Sequence, residues 1–179
     1  VPLSRIAAAI DGLPRTALSR LAYRHQAVEW RYSQPGAGAR TVGGRWNPPN
    51  SFATLYLGLS VEVAAAELER LAERAGREVT DFMPRHLLEY EIELDAVLDL
   101  TDDAALDALE LTKADLTSAD ADSCQRVGEA AHHLGWEGIL APSATGTGNI
   151  VAVFIERLSP QSRVEVRSRK HWETPQDMR

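Results

Sequence analysis

His86-Leu-Leu-Glu-Tyr-Glu-Ile-Glu-Leu94 is the stretch that decides the fold class. Leu88, Tyr90, Ile92 and Leu94 alternate with Glu89, Glu91 and Glu93. A period of two puts the apolar set on one face of a strand and the carboxylates on the other. Residues 96–100 extend it. Working outward toward the N-terminus, Ser60 is placed to cap a helix over 61–75, and Gly76 to stop it. On that helix Val63, Ala66, Glu67, Arg70 and Leu71 share one side, which sets a carboxylate beside an apolar stripe. Residues 54–58 read as a short buried strand, and 18–25 as a shorter β-compatible run. Between them lie a glycine-rich loop over 33–44 and Arg45-Trp46-Asn47-Pro48-Pro49-Asn50, whose consecutive prolines forbid helix. Toward the C-terminus the pattern predicts helices over 101–109 and 121–134, strands over 138–141 and 150–155, and a weaker strand over 164–167. The last ten residues read as a frayed tail. Strands and helices mix without regular alternation, so the expected class is α+β in a single domain.

The 179 residues suffice for a core without metal or disulfide staples. The single cysteine, Cys124, rules out an internal disulfide framework and a multi-Cys zinc site, fits a reducing compartment, and reads as a small packing residue. No apolar run approaches the ~20 residues of a membrane span. The opening Val1-Pro2-Leu3-Ser4-Arg5 has no signal-peptide stretch. A soluble, cytoplasmic domain is therefore expected. The net charge of −7 conceals a segregation, with seven arginines against Asp11 and Glu29 in residues 1–50 and 20 acids against six bases in 51–140. An acidic chain with one arginine-rich end suits a small anionic ligand better than nucleic acid, because guanidinium groups recognise phosphate bidentately whereas nucleic acid needs a broad positive surface. His132 and His133 point to different sides of a helix and lack partners at ligand spacing, so no metal site is expected. Thr145-Gly-Thr-Gly-Asn149 lacks the lysine of a phosphate-cradling loop.

One segment carries candidate chemistry. Arg24 lies in a strand-like run, Arg45 follows Gly43-Gly44, Tyr56 lies mid-strand and Glu67 faces inward on the next helix. A tight strand-to-helix turn would bring Tyr56 and Glu67 to one cleft. Each also has a plain reading: surface charge for the arginines, core aromatic for Tyr56, helix solvation for Glu67.

The set Tyr23-Arg24, Gly43-Gly44-Arg45-Trp46-Asn47-Pro48-Pro49, Leu55-Tyr56-Leu57 and Ala66-Glu67-Leu68-Glu69 resembles the RES-domain toxins of bacterial RES–Xre toxin–antitoxin pairs. The likeness continues through Ala96-Val-Leu-Asp-Leu100, Cys124-Gln125 and residues 135–143, and is greatest to the mycobacterial NAD-phosphorylase branch. It suggests a lead-in over 1–18, a RES domain over 19–168 and a tail over 169–179. The resemblance implies a fold like the catalytic domain of ADP-ribosyltransferases, NAD as substrate with no cofactor, and inorganic phosphate as the candidate co-substrate. It implies that Arg24 and Arg45, with Gly44, grip the diphosphate, that Tyr56 stacks on nicotinamide, and that Glu67 stabilises an oxocarbenium-like ribose. Ser143 is the first candidate for the family's serine and Ser123 the second. His25 stands where some relatives place Tyr. The acceptor stays open between phosphate, water and a protein side chain. The implied partner is an Xre-type antitoxin, in a hetero-oligomer or beside a homodimer, with no direct contact to nucleic acid or membrane. An RNA-targeting toxin and a non-catalytic binding module are the alternatives from other classes.

Overall fold

The structure, a computed structural model, describes residues 2–29 and 35–179. The glutamate-alternating stretch lies at the centre of β3 (Arg85–Asp99), and Leu88, Tyr90, Ile92 and Leu94 are buried as the alternation requires. Its partner is β1 (Thr16–Ala27), antiparallel along nearly its whole length. This strand is longer than the sequence suggests, because its polar residues Arg20, Arg24 and Gln26 interrupt the alternation.

The next elements are β2 (Thr54–Gly58), α3 (Val61–Ala75), β4 (Gly138–Pro142), β5 (Asn149–Phe154) and β6 (Arg163–Trp172). The sheet runs β1-β2-β5-β4-β3-β6, and β1 also pairs with β3, so five strands close on themselves with β6 outside. All pairs are antiparallel except β3–β4. That parallel pair requires a long crossover, supplied by α4 (Asp103–Ala108), α5 (Lys113–Thr117) and α6 (Asp122–His133). The remaining helices are α1 (Leu3–Asp11) and α2 (Ala37–Val42). The α+β expectation holds. No helix among the described residues is long and apolar enough to cross a membrane.

Apolar side chains form three clusters. One joins Ile6 and Ile10 of α1 to α4, α6 and Trp46; the second fills the curved sheet; the third lies under α3, where Ala64, Ala65 and Leu68 meet Leu87, Trp172 and Met178. The third cluster corrects the frayed-tail expectation. Residues 163–172 form a full strand, and Trp172 is completely buried beneath α3. A lone tryptophan in a polar run gives no periodic signal, which is why the strand reads short. The glycine-rich loop is corrected too: residues 37–42 turn as α2, while 33 and 34, like Arg31, lie outside the described residues.

The cap reading of α3 holds in detail. Ser60 Oγ accepts from the Val63 N–H at 3.3 Å, and Gly76 takes the left-handed conformation at φ 62°. At the far end of the sheet the buried Glu137 carboxylate accepts from the Asp95 N–H at 2.7 Å, the Ser159 N–H at 2.8 Å and Ser162 Oγ at 2.7 Å. It joins β3 to the segments that lead into β4 and β6.

Candidate active site

The sheet is weakest where β1 meets β2. The two strands share a single registered pair, Tyr23 with Gly58, so no ladder closes the seam beyond it. Residues of both strands line a cleft of about 590 Å³ there, the size of a small-molecule site. Helix α3 borders it with Glu67, Arg70, Leu71 and Arg74, a one-sided i, i+3, i+4, i+7 stripe. The sequence placed Leu71 in an apolar stripe, but it is 42% exposed. Val63 of that stripe is buried, together with Ala64, Ala65, Leu68 and Ala72.

Glu67 and Ser143, 76 positions apart, meet at the cleft. Ser143 Oγ donates to Glu67 Oε1 at 2.9 Å. The same oxygen accepts from the Thr145 N–H at 3.1 Å and lies 2.7 Å from Thr145 Oγ1, which in turn accepts from the Thr147 N–H at 3.2 Å. A hydroxyl has one proton and two lone pairs. With Thr145 filling both lone pairs, the Ser143 proton is committed to Glu67, so backbone N–H groups orient the carboxylate through two hydroxyls. Ser123, the second candidate, is exposed on α6 and does not line the cleft.

Tyr56 borders the cleft and also locks its wall. Its Oη accepts from the Trp46 N–H at 2.8 Å and donates to Asn47 Oδ1 at 2.8 Å. Burial pushes the phenol far above its ordinary range, so it remains a donor. Gly44 lies against the ring, where a Cβ would fall 2.5 Å from Oη. Gln125 Nε2 donates to the Gly44 carbonyl at 2.9 Å and braces the turn from α6. Gln125 entered the sequence reading only as part of a matching dipeptide, since a polar residue on a helix announces no target.

The two expected phosphate grips separate. Arg24 is half-buried, reaches across the seam to the Tyr56 carbonyl with Nη1 at 3.3 Å, and has no carboxylate within 4 Å among the described residues. Burial lowers its pKa, and nearby Tyr90 opposes that shift. Arg45 also borders the cleft, but its guanidinium donates to the Asp115 carbonyl at 3.4 Å and the Ser118 carbonyl at 2.6 Å. Those donors are occupied in holding the end of α5. His25 lines the cleft, with Nδ1 2.9 Å from Arg85 Nη2. A guanidinium only donates, so Nδ1 accepts and the ring proton sits on Nε2. Burial, then Arg85 and Arg24, push this imidazole down to about 3, leaving it neutral at pH 7.

Two cleft cations had no role in the sequence reading: Arg70 was placed on the Glu67 side of the helix without one, and Arg74 was not named. Their signal was present as the i+3 and i+7 positions from Glu67. Cys124 is buried, and burial pushes its thiol upward, consistent with packing rather than nucleophilic work. Among the described residues no group of three or more His, Cys, Asp or Glu is arranged to hold a metal.

A model of the RES domain family matches residues 15–177. The NAD(+) phosphorylases MbcT of Mycobacterium bovis and Mycobacterium tuberculosis are 35% identical to this chain over 153 residues, covering 84% of it and 82% of their own length. The crystal structure of the M. tuberculosis MbcT–MbcA toxin–antitoxin complex contains a chain that superposes with a TM-score of 0.87. The two are 31% identical, and the match covers 99% of this chain and 97% of that one.

Proposed function

The chain belongs to the RES domain family, and from that premise we propose that it is a toxin that cleaves the nicotinamide–ribose bond of NAD, with phosphate or water as acceptor. The observation that carries the reading is the Glu67 carboxylate, held by Ser143 at a cleft that also presents Tyr56 and the half-buried Arg24. In NAD the nicotinamide nitrogen is already quaternary. When its bond to ribose breaks, the electron pair leaves with a neutral nicotinamide and needs no acid. The positive charge then resides on the ribose, as in glycoside cleavage. A carboxylate fixed in advance stabilises that charge without reorganising, which is where electrostatic catalysis gains most. Tyr56 presents its ring toward the leaving group, and Arg24 supplies a cation on the cleft floor for the diphosphate.

The acceptor oxygen forms the new bond to the ribose carbon. Hydrogen phosphate gives ADP-ribose 1-phosphate; water gives ADP-ribose and releases a proton. The MbcT name supports phosphate. By the same likeness the protein acts inside the cell, where NAD is present, and is restrained by a cognate antitoxin. The test is purified protein with NAD, with and without phosphate, following nicotinamide and the ribosyl product. NAD loss that phosphate diverts to the phosphorylated product, and that Glu67→Gln lowers by about 10²–10³, is expected. No NAD loss, or undiminished loss with Glu67→Gln, overturns the proposal.

A further inference from the structure

We infer that Arg70 and Arg74 of α3 form the rail that takes the diphosphate, the task the sequence had given to Arg45; this rests on the NAD reading above. Three observations support it. The Arg45 guanidinium is directed at the carbonyls of residues 115 and 118, which leaves the cleft one cation short of the pair a diphosphate needs. Arg70 and Arg74 line that cleft, and neither has a carboxylate within 4 Å among the described residues. They also stand one turn apart on an open helix face, where like charges repel. Arg74, in the last turn, gains from the helix dipole, but any exposed position in that turn would give the same gain. Folding alone does not explain two cations facing one cleft.

Their spacing fits a nucleoside diphosphate. At a rise of about 1.5 Å per residue, Arg70 lies about 4.5 Å and Arg74 about 10.5 Å along the axis from Glu67. With the reacting ribose carbon at Glu67, the first distance is of the order that separates that carbon from its own 5′-phosphate. The second reaches past it toward the adenosine side. The helix is thus a ruler: its carboxylate meets the developing cation, and the guanidinium groups following it meet the anions attached to the same ribose. Arg24 of β1 lines the same cleft.

ADP-ribose titrated by calorimetry into the Glu67→Gln protein isolates binding from chemistry. Adding Arg70→Gln or Arg74→Gln is expected to weaken ADP-ribose binding about ten- to 150-fold each, the range for a hydrogen bond to a charged group. With Glu67 intact, the same substitutions raise the KM for NAD and leave kcat for nicotinamide release within a factor of about three. Lysine at either position restores part of the affinity, and Arg163→Gln on β6, away from the cleft, changes neither constant. Cleavage of nicotinamide riboside, which has no phosphate, is unaffected by Arg70→Gln and Arg74→Gln. ADP-ribose bound as tightly by these variants as by their parent overturns the rail while the NAD reading stands. Equal losses on nicotinamide riboside also overturn it, by showing a merely structural role. Failure of the Glu67→Gln parent to bind ADP-ribose overturns both.

Discussion

Tyr56→Phe deletes one oxygen and keeps the ring, so it separates the wall-building role of Tyr56 from its role toward substrate. In the folded protein Oη is the acceptor for the Trp46 N–H and the donor to Asn47 Oδ1, both at 2.8 Å, and Trp46 and Asn47 are both fully buried. Removing the acceptor leaves a sealed backbone N–H unpaired, at about 1–3 kcal/mol, and the lost bond to Asn47 adds about 0.5–1.5 kcal/mol. The expected loss is therefore about 1.5–4.5 kcal/mol, a large fraction of the ~5–15 kcal/mol that holds a domain folded. The turn itself persists. Gly44 N still donates to the Asn47 carbonyl at 2.9 Å, Asn47 Nδ2 to the Ala39 carbonyl at 2.7 Å, and Gln125 to Gly44. Urea unfolding should show a lower midpoint at unchanged slope. Nicotinamide release, measured well below the transition, should stay within a factor of about five, or about 1 kcal/mol of barrier. A variant as stable as wild type refutes the hydrogen-bond account. A variant that loses three orders of magnitude in rate shows that Oη acts on the substrate directly.

Ser143→Ala removes the proton that orients Glu67 but not the carboxylate, so nicotinamide release should fall about tenfold, less than for Glu67→Gln; equal losses would mean that the serine itself meets the substrate. Gly128→Ala places a Cβ 1.8 Å from the Trp46 carbonyl oxygen, backbone against backbone. It should cost at least about 3 kcal/mol, visible as a lowered Tm; an unchanged Tm refutes the contact. Acidification should destabilise the protein through two neutral histidines. His132, stacked on Phe52 at 3.9 Å between ring centroids, is pushed down to about 4 by burial first and then by Arg157 and His133. His25 is pushed down to about 3. The unfolded chain binds these protons first, so the stabilisation is full above the ordinary histidine value near 6.5 and is lost as pH falls toward those two values. Between pH 6.5 and 5 the loss is about 2 kcal/mol per histidine. Urea titrations at pH 7 and 5 should show it, and His132→Gln should flatten the dependence.

The elements legible in the sequence were those whose signal is local. The β3 alternation, the Ser60 cap and the Gly76 stop each depend on neighbours within one or two turns, and each is found where it was read. The Glu67–Ser143 pair could be suspected only through resemblance, because nothing in Ala141-Pro142-Ser143 alone points to a carboxylate 76 positions earlier. The end of β6 was illegible for a similar reason. Trp172 is buried by α3 and Met178 rather than by a patterned strand face. Arg45 lines the cleft, but the sequence could not show that its guanidinium also meets the carbonyls of a short helix, because arginine after two glycines looks the same either way.

The charge pattern along the chain turns out to be a poor map of charge in space. Of the seven N-terminal arginines, Arg5 pairs with Glu110 and Arg40 with Glu156. Arg15 lies over Trp136 and donates to the Leu134 and Gly135 carbonyls. Arg45 holds α5, and the half-buried Arg24 lines the cleft with no carboxylate within 4 Å among the described residues. The cleft's other cations, Arg70 and Arg74, come from the acidic middle of the chain, where an average over ninety residues hides them. Screening limits the reach of a charge to about 8–10 Å at ordinary salt. A bound anion therefore senses these few guanidinium groups and Glu67, rather than the net charge of −7. On the diphosphate reading proposed above, a protein this acidic presents cations locally because helical periodicity sets Arg70 and Arg74 on the Glu67 face of α3, while Glu62, Glu69 and Glu73 do not line the cleft.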